Sequence, residues 1–172
     1  MAAVSPYFPS DSNVPSLIWA IYESPVALYI RESETIFPVL QTFHVLGLML
    51  MLGTILVVDL RILGVSLTSR SPLEVGRDLL PYTWAGFVVV LISGLLLLTA
   101  QVGRIYENDF LRAKLALLIL AGINVIVFHL GSYRSIAQWG VSVTPGSARI
   151  AAATSLTLWS AVIIAGRYIA YY

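Results

Sequence analysis

Four apolar runs of about 20 residues each dominate this sequence, near 37–59, 82–103, 113–133 and 150–171. Wound as a helix, a run of that length crosses the roughly 30 Å hydrocarbon core of a bilayer. Backbone polar groups find no water there, so each segment has to satisfy its own hydrogen bonds and folds as a helix. Only short polar connections separate the runs. The expected fold is therefore an all-α integral membrane protein, a four-helix up-and-down bundle over 36–172. Composition agrees, with 11% charged residues against about 25% in a typical soluble domain.

Residues 1–35 differ. MAAVSPYFPSDSNVPS has no basic run followed by an apolar core, so a cleavable signal peptide is not expected and the segment should persist. From Ser16 to Ser33, the residues Leu17, Ile21, Pro25 and Leu28 recur at helical spacing, interrupted by Glu23 and closed by Arg31 and Glu32. Ser24-Pro25 has the form of an N-cap followed by proline at the first helical position, which predicts two short helices. Trp19, Tyr22 and Tyr29 suit the headgroup level. Too short to cross, the stretch is expected to lie on the membrane as an interfacial amphipathic helix.

A multi-pass protein of a bacterial inner (cytoplasmic) membrane is the expected setting. Orientation is poorly marked. Arg31, Arg104, Arg112, Lys114 and Arg167 fall on the side of the N-terminus, and Arg61, Arg70, Arg77, Arg134 and Arg149 on the other. That division is a tie under the positive-inside rule. The acidic residues Asp11, Glu23, Glu32, Glu34, Glu107 and Asp109 tilt the balance slightly towards both termini outside.

A formal net charge of +1 provides no surface for nucleic acid. With no cysteine, thiolate chemistry, disulfides and Cys-ligated metal sites are excluded. There is no glycine-rich phosphate loop, no HExxH and no serine–histidine motif. Any enzyme chemistry would be that of a cofactor-dependent oxidoreductase component.

The only two histidines, His44 and His129, both lie within apolar runs. Ionisable groups in lipid are costly and often functional, and histidine is the usual axial ligand of membrane haem. These two are the candidate cofactor or metal ligands, with haem b the candidate group. Helical rise places His44 about 10 Å and His129 about 24 Å below the same face, so the imidazoles should differ in depth by roughly 14 Å. A single haem held between them in one chain is disfavoured. Three arrangements stay open: separate centres, a two-fold dimer pairing each histidine with its twin, or histidines that only bridge helices.

Polar side chains are expected at each depth: Gln41, Thr99, Gln101 and Arg167 around His44, and Tyr133, Asp59, Arg61, Tyr82 and Trp84 around His129. Gln41, Asp59, Arg61, Tyr133 and Arg167 are the supporting candidates. For Arg61 and Arg167, snorkelling or ion pairing competes with cofactor contact. Asn124 is expected to make an interhelical hydrogen bond. Met49 and Met51 should face different sides of their helix, against a copper pair. Gly47, Gly53, Gly86, Gly94, Gly122, Ala161 and Ala165 are expected at close helix contacts.

Several motifs follow in order: Ser24-Pro25 through Arg31-Glu32-Ser33, TFHVLGLMLMLGTILVVDLRILG (42–64), PYTWAGF (81–87), FLRAKLALLILAGINVIVFH (110–129) and GRYIAY (166–171). Together they closely resemble a family of small bacterial four-helix membrane proteins of unknown function. The resemblance implies a pattern that includes His44, Asp59-Leu60-Arg61 and His129, with no activity attached. A vaguer likeness extends to copper-resistance membrane proteins and haem-dependent four-helix oxidases. The leading expectation is a b-type haem or other metal-binding redox protein working in electron transfer. The alternatives are a non-catalytic membrane subunit, and a small-solute or copper transporter, which would need an oligomer. The lipid bilayer is the expected partner, with a homodimer or larger membrane complex possible on these features.

Overall fold

The computed structural model describes residues 14–141, 144–169 and 171. The expectation of no signal peptide rests mainly on residues 1–13, which lie outside the described residues, as do Asp11 and the side chain of Arg104.

Two short helices come first, α1 (Ser16–Tyr22) and α2 (Pro25–Glu32). The turn between them is made as the sequence suggests. The Ser24 hydroxyl accepts from the Ala27 amide at 3.3 Å and donates to the Ile21 carbonyl at 2.8 Å, while Pro25 occupies a position whose amide needs no partner. Arg31 closes back over α1, donating to the Tyr22 carbonyl at 3.3 Å with its guanidinium 4.1 Å above the Tyr22 ring. Ala27 and Ile30 are buried, and both helices pack chiefly against α4.

Four long helices follow: α3 (Ile36–Leu63), α4 (Pro72–Ile105), α5 (Asp109–Leu130) and α6 (Gly146–Tyr168). All four are long and apolar enough to cross a membrane, and among the described residues there is no strand. Local chemistry sets their ends. Gly64 adopts φ 80°, and the amides of Gly64 and Val65 donate to the Arg61 and Leu60 carbonyls, a Schellman stop that favours glycine. Ser71 and Glu74 form a reciprocal capping box at the start of α4, with Pro72 as its first residue. Asn108 caps α5 by accepting from the Phe110 and Leu111 amides.

The second span departs most from expectation. It was expected from residue 82, but α4 starts at Pro72 and carries Pro81 within it. The Ser71–Glu74 capping box and Pro72 start the helix, which then continues through Pro81 with the loss of one backbone bond. At 34 residues, α4 is about 50 Å long, well beyond the thickness of the hydrocarbon core.

The four long helices pack together in the order α4, α3, α6, α5, with α3 between α4 and α6. Glycine makes the α3–α4 seam tight: a Cβ on Gly47 would come within 2.9 Å of Val89, and one on Gly86 within 2.7 Å of the Met51 backbone. Gly53 and Gly122 meet nothing within 4 Å, so the expected close contacts do not form there. Asn124 makes its interhelical bond, donating to the Ala151 carbonyl of α6 at 3.1 Å. Beyond α5, a 3-10 segment (Ser132–Gln138) tucks Trp139 into a small core with Ile62, Ile136, Ala148 and Ala152. That core ties the end of α3 to the start of α6.

Candidate functional site

His44 sits in the third turn of α3, half-buried against α4. Its Nδ1 lies 2.9 Å from the Ser93 hydroxyl, and Gly94 leaves room for the ring, since a Cβ there would meet His44 Cε1 at 3.0 Å. The Nδ1–Cε1 edge of the imidazole therefore faces α4. Ser93 is itself buried and donates its single proton to the Val89 carbonyl at 2.5 Å. Towards His44 its oxygen can only accept, so Nδ1 carries a proton. The Val90 carbonyl also lies within hydrogen-bonding reach of the ring, and a neutral ring protonated on Nδ1 presents a lone pair on Nε2.

A cation shares this region. Lys114 of α5 lies within electrostatic reach of His44, and its Nζ packs 3.3 Å from where a Gly166 Cβ would stand on α6. It makes no ion pair among the described residues. His44, Ser93 and Gly94 thus join α3 to α4, while Lys114 and Gly166 join α5 to α6 within electrostatic reach of them.

The polar neighbours expected around His44 are elsewhere. The antiparallel seam pairs His44 with Ser93, Gly47 with Val89, Met51 with Gly86, and Thr54 with Thr83, whose hydroxyls are 2.8 Å apart. In that register Thr99 and Gln101 lie about 9 and 12 Å further along α4 than Ser93. Thr99 donates to the Leu96 carbonyl. Gln41 is exposed, lining a shallow groove of about 380 Å³ with Pro38, Thr42, Val45 and Leu46. Arg167 is also exposed and engages Tyr171, donating to its hydroxyl at 2.6 Å with the guanidinium over the ring.

His129 is the penultimate residue of α5 and is exposed. Its Nδ1 lies 2.8 Å from the Val125 carbonyl, which can only accept, so here too the proton belongs on Nδ1. Tyr133 lies beside it with ring centroids 4.8 Å apart, as its spacing one turn on suggests. Asp59, Arg61, Tyr82 and Trp84 share no hydrogen bond, ion pair or ring contact with His129 among the described residues. Asp59 is buried beside Ser155 of α6, with its Oδ2 unpartnered. Arg61 is buried and neither snorkels nor pairs with a carboxylate; it donates to the Arg70 and Val141 carbonyls. Tyr82 and Trp84 are exposed.

His44 lies near the start of α3 and His129 at the far end of α5, so the structure does not bring them together. No group of three or more His, Asp or Glu side chains forms a metal cage among the described residues. Two partners escaped the sequence reading. Lys114 carries a signal, being the sole lysine of the chain and set inside an apolar run. Ser93 carries one only once the α3–α4 register is known.

The model of a family of unknown function (DUF6644) matches residues 28–172. No curated protein and no solved structure matches the chain.

Proposed function

The chain belongs to the DUF6644 family of unknown function, and from that premise we propose that it is a membrane redox protein whose His44 ligates a haem b or another metal centre. Its setting on this reading is the cytoplasmic membrane of a bacterium. The observation that carries the reading is the Ser93 hydroxyl. Committed as a donor to Val89, it holds the His44 proton on Nδ1 and leaves Nε2 for a Lewis acid. Metal-bound histidines are typically held in this way, through a hydrogen bond from the other ring nitrogen. His129 is arranged alike by the Val125 carbonyl and would serve a second, separate centre.

The residues fit one histidine ligand per centre from each chain. A two-fold dimer that apposes equivalent histidines would supply the second ligand. Bound haem would supply one-electron transfer. The chain's own contributions are orientation by Ser93, room for the ring at Gly94, and positive charge from Lys114 to match an acidic substituent of the cofactor.

The test is a reduced-minus-oxidised absorption spectrum of protein purified from its native membrane in mild detergent, with metal analysis. A haem or metal signal lost in His44→Ala is expected. A colourless protein free of iron and copper overturns the reading.

A second reading, a non-catalytic subunit of a larger membrane complex, is favoured by α5. Only 6% of its apolar window is buried within the chain, and Gly122 on α5 and Gly53 on α3 are open positions where a partner helix could approach closely. It predicts a co-purifying partner whose assembly fails when this chain is deleted. Normal assembly in the deletion strain would count against it.

A further inference from the structure

Far from His44, a cleft of about 260 Å³ opens where α3 ends, lined by Arg61, Gly64, Thr68, Val141, Thr144 and Arg149. No carboxylate is among these residues. Arg61 is only 2% exposed. It donates from Nε to the Arg70 carbonyl at 2.5 Å and from Nη2 to the Val141 carbonyl at 2.7 Å. A guanidinium has five N–H groups, so three are left without a protein acceptor among the described residues.

Carbonyls accept those two hydrogen bonds but bring no counter-charge. Among the described residues the ion pairs are Arg70–Asp78 and Arg112–Asp109, and neither involves Arg61 or Arg149. Asp59 is two residues away on the same helix, a spacing that turns the two side chains to different faces. Arginine does not give up its proton to relieve burial. A buried charge of this kind calls for an anion, and the described residues supply none.

The second cation approaches from α6. Arg149 lies in its first turn, with Nη2 3.6 Å from where a Gly64 Cβ would stand. The left-handed Gly64 that ends α3 thus lies against the Arg149 guanidinium. The Thr68 and Thr144 hydroxyls line the same space, and the start of α6 has no side-chain cap. The Ala148 and Arg149 amides donate to the Pro145 carbonyl, which leaves those of Gly146 and Ser147 as free donors among the described residues.

We propose that this cleft binds a phosphate group. Two guanidinium forks, two hydroxyls and an uncapped helix start suit a tetrahedral anion with several acceptor oxygens. Two sources share that chemistry: the phosphodiester of an anionic lipid and free phosphate. The cleft lies at the end of membrane-spanning helices, where lipid phosphates are found. The proposal is independent of what the histidines bind.

The test uses the full chain in mild detergent, freed of phosphate. Phosphatidylglycerol or inorganic phosphate is titrated, with retention read by native mass spectrometry and stabilisation by thermal unfolding. Wild-type protein is expected to bind at least one of the two. Arg149→Gln, a change at an exposed side chain, is expected to weaken that binding at least ten-fold, and Thr144→Val to weaken it less. Arg134→Gln, on the same side but outside the cleft, should bind as wild type does. Binding of phosphatidylglycerol alone assigns the site to lipid, and a response to inorganic phosphate assigns it to the free anion. The proposal is overturned if neither binds, if Arg149→Gln binds like wild type, or if Arg134→Gln is weakened as much as Arg149→Gln.

Discussion

A Cβ on Gly86 would stand 2.7 Å from the backbone nitrogen of Met51, so α4 and α3 meet main chain to main chain. In lipid, where apolar side chains gain little by leaving their solvent, such close packing is a principal source of helix association. The obstacle is backbone, which cannot swing aside. Gly86→Ala is therefore expected to destabilise the protein by about 1–3 kcal/mol, the usual cost of overpacking. Gly53→Ala, where the space is open, should be neutral or mildly stabilising through helix propensity. Thermal unfolding in detergent, followed by circular dichroism, separates the two. Equal midpoints for both variants would refute the seam.

Asp59 poses the opposite problem, a polar group with too few partners. It is 7% exposed, and its Oδ2 has no hydrogen bond. Asparagine keeps the shape with no ionisable group to desolvate, and its amide oxygen keeps the approach to Ser155. Asp59→Asn should match the stability of the wild type or exceed it by about 1 kcal/mol. A clearly lower unfolding midpoint would mean that the carboxylate is matched in the folded protein by a group from outside the chain.

Element type was legible in the sequence because apolar runs of membrane-spanning length admit one backbone solution in lipid. The Ser24-Pro25 turn and the Asn124 bond were legible for a similar reason, since each depends on one residue's local chemistry. The surroundings of His44 were not. They follow from how far α4 slides along α3, and that register is set by Gly47, Gly86 and Gly94 together. Placing the start of the second span after Pro81 shifts every depth on α4, which is why Thr99 and Gln101 were expected where Ser93 stands. The signal for the true start, Ser71 with Glu74, is present in the sequence but competes with the proline ten residues into the helix.

Ser93 and Gly94 permit a separation of ring orientation from helix packing. A Cβ on Gly94 would meet His44 Cε1 at 3.0 Å, and a side-chain ring can rotate where a backbone cannot. Gly94→Ala should leave the fold intact while pulling Nδ1 from Ser93, at a cost of about 1 kcal/mol for the lost hydrogen bond. Ser93→Ala breaks the same bond without steric pressure. If His44 is a ligand, both variants alter or lose the absorption signal while their unfolding midpoints stay close together. An unchanged signal in both would remove Ser93 from any part in orienting a ligand.

The charge of Lys114 can be changed while its length is kept. Methionine has a similar length and no charge, and Lys114→Arg keeps the charge. A cation close to a redox centre favours the reduced, more negative state, and the effect weakens with distance and solvent. On the proposed function, Lys114→Met therefore lowers the midpoint potential measured by potentiometric titration, and Lys114→Arg leaves it near the wild-type value. The competing role is snorkelling, in which the ammonium that packs against Gly166 serves only to reach the polar edge of the membrane. Snorkelling alone leaves the potential of Lys114→Met unchanged and shifts only its stability, so the pair of measurements decides between the two.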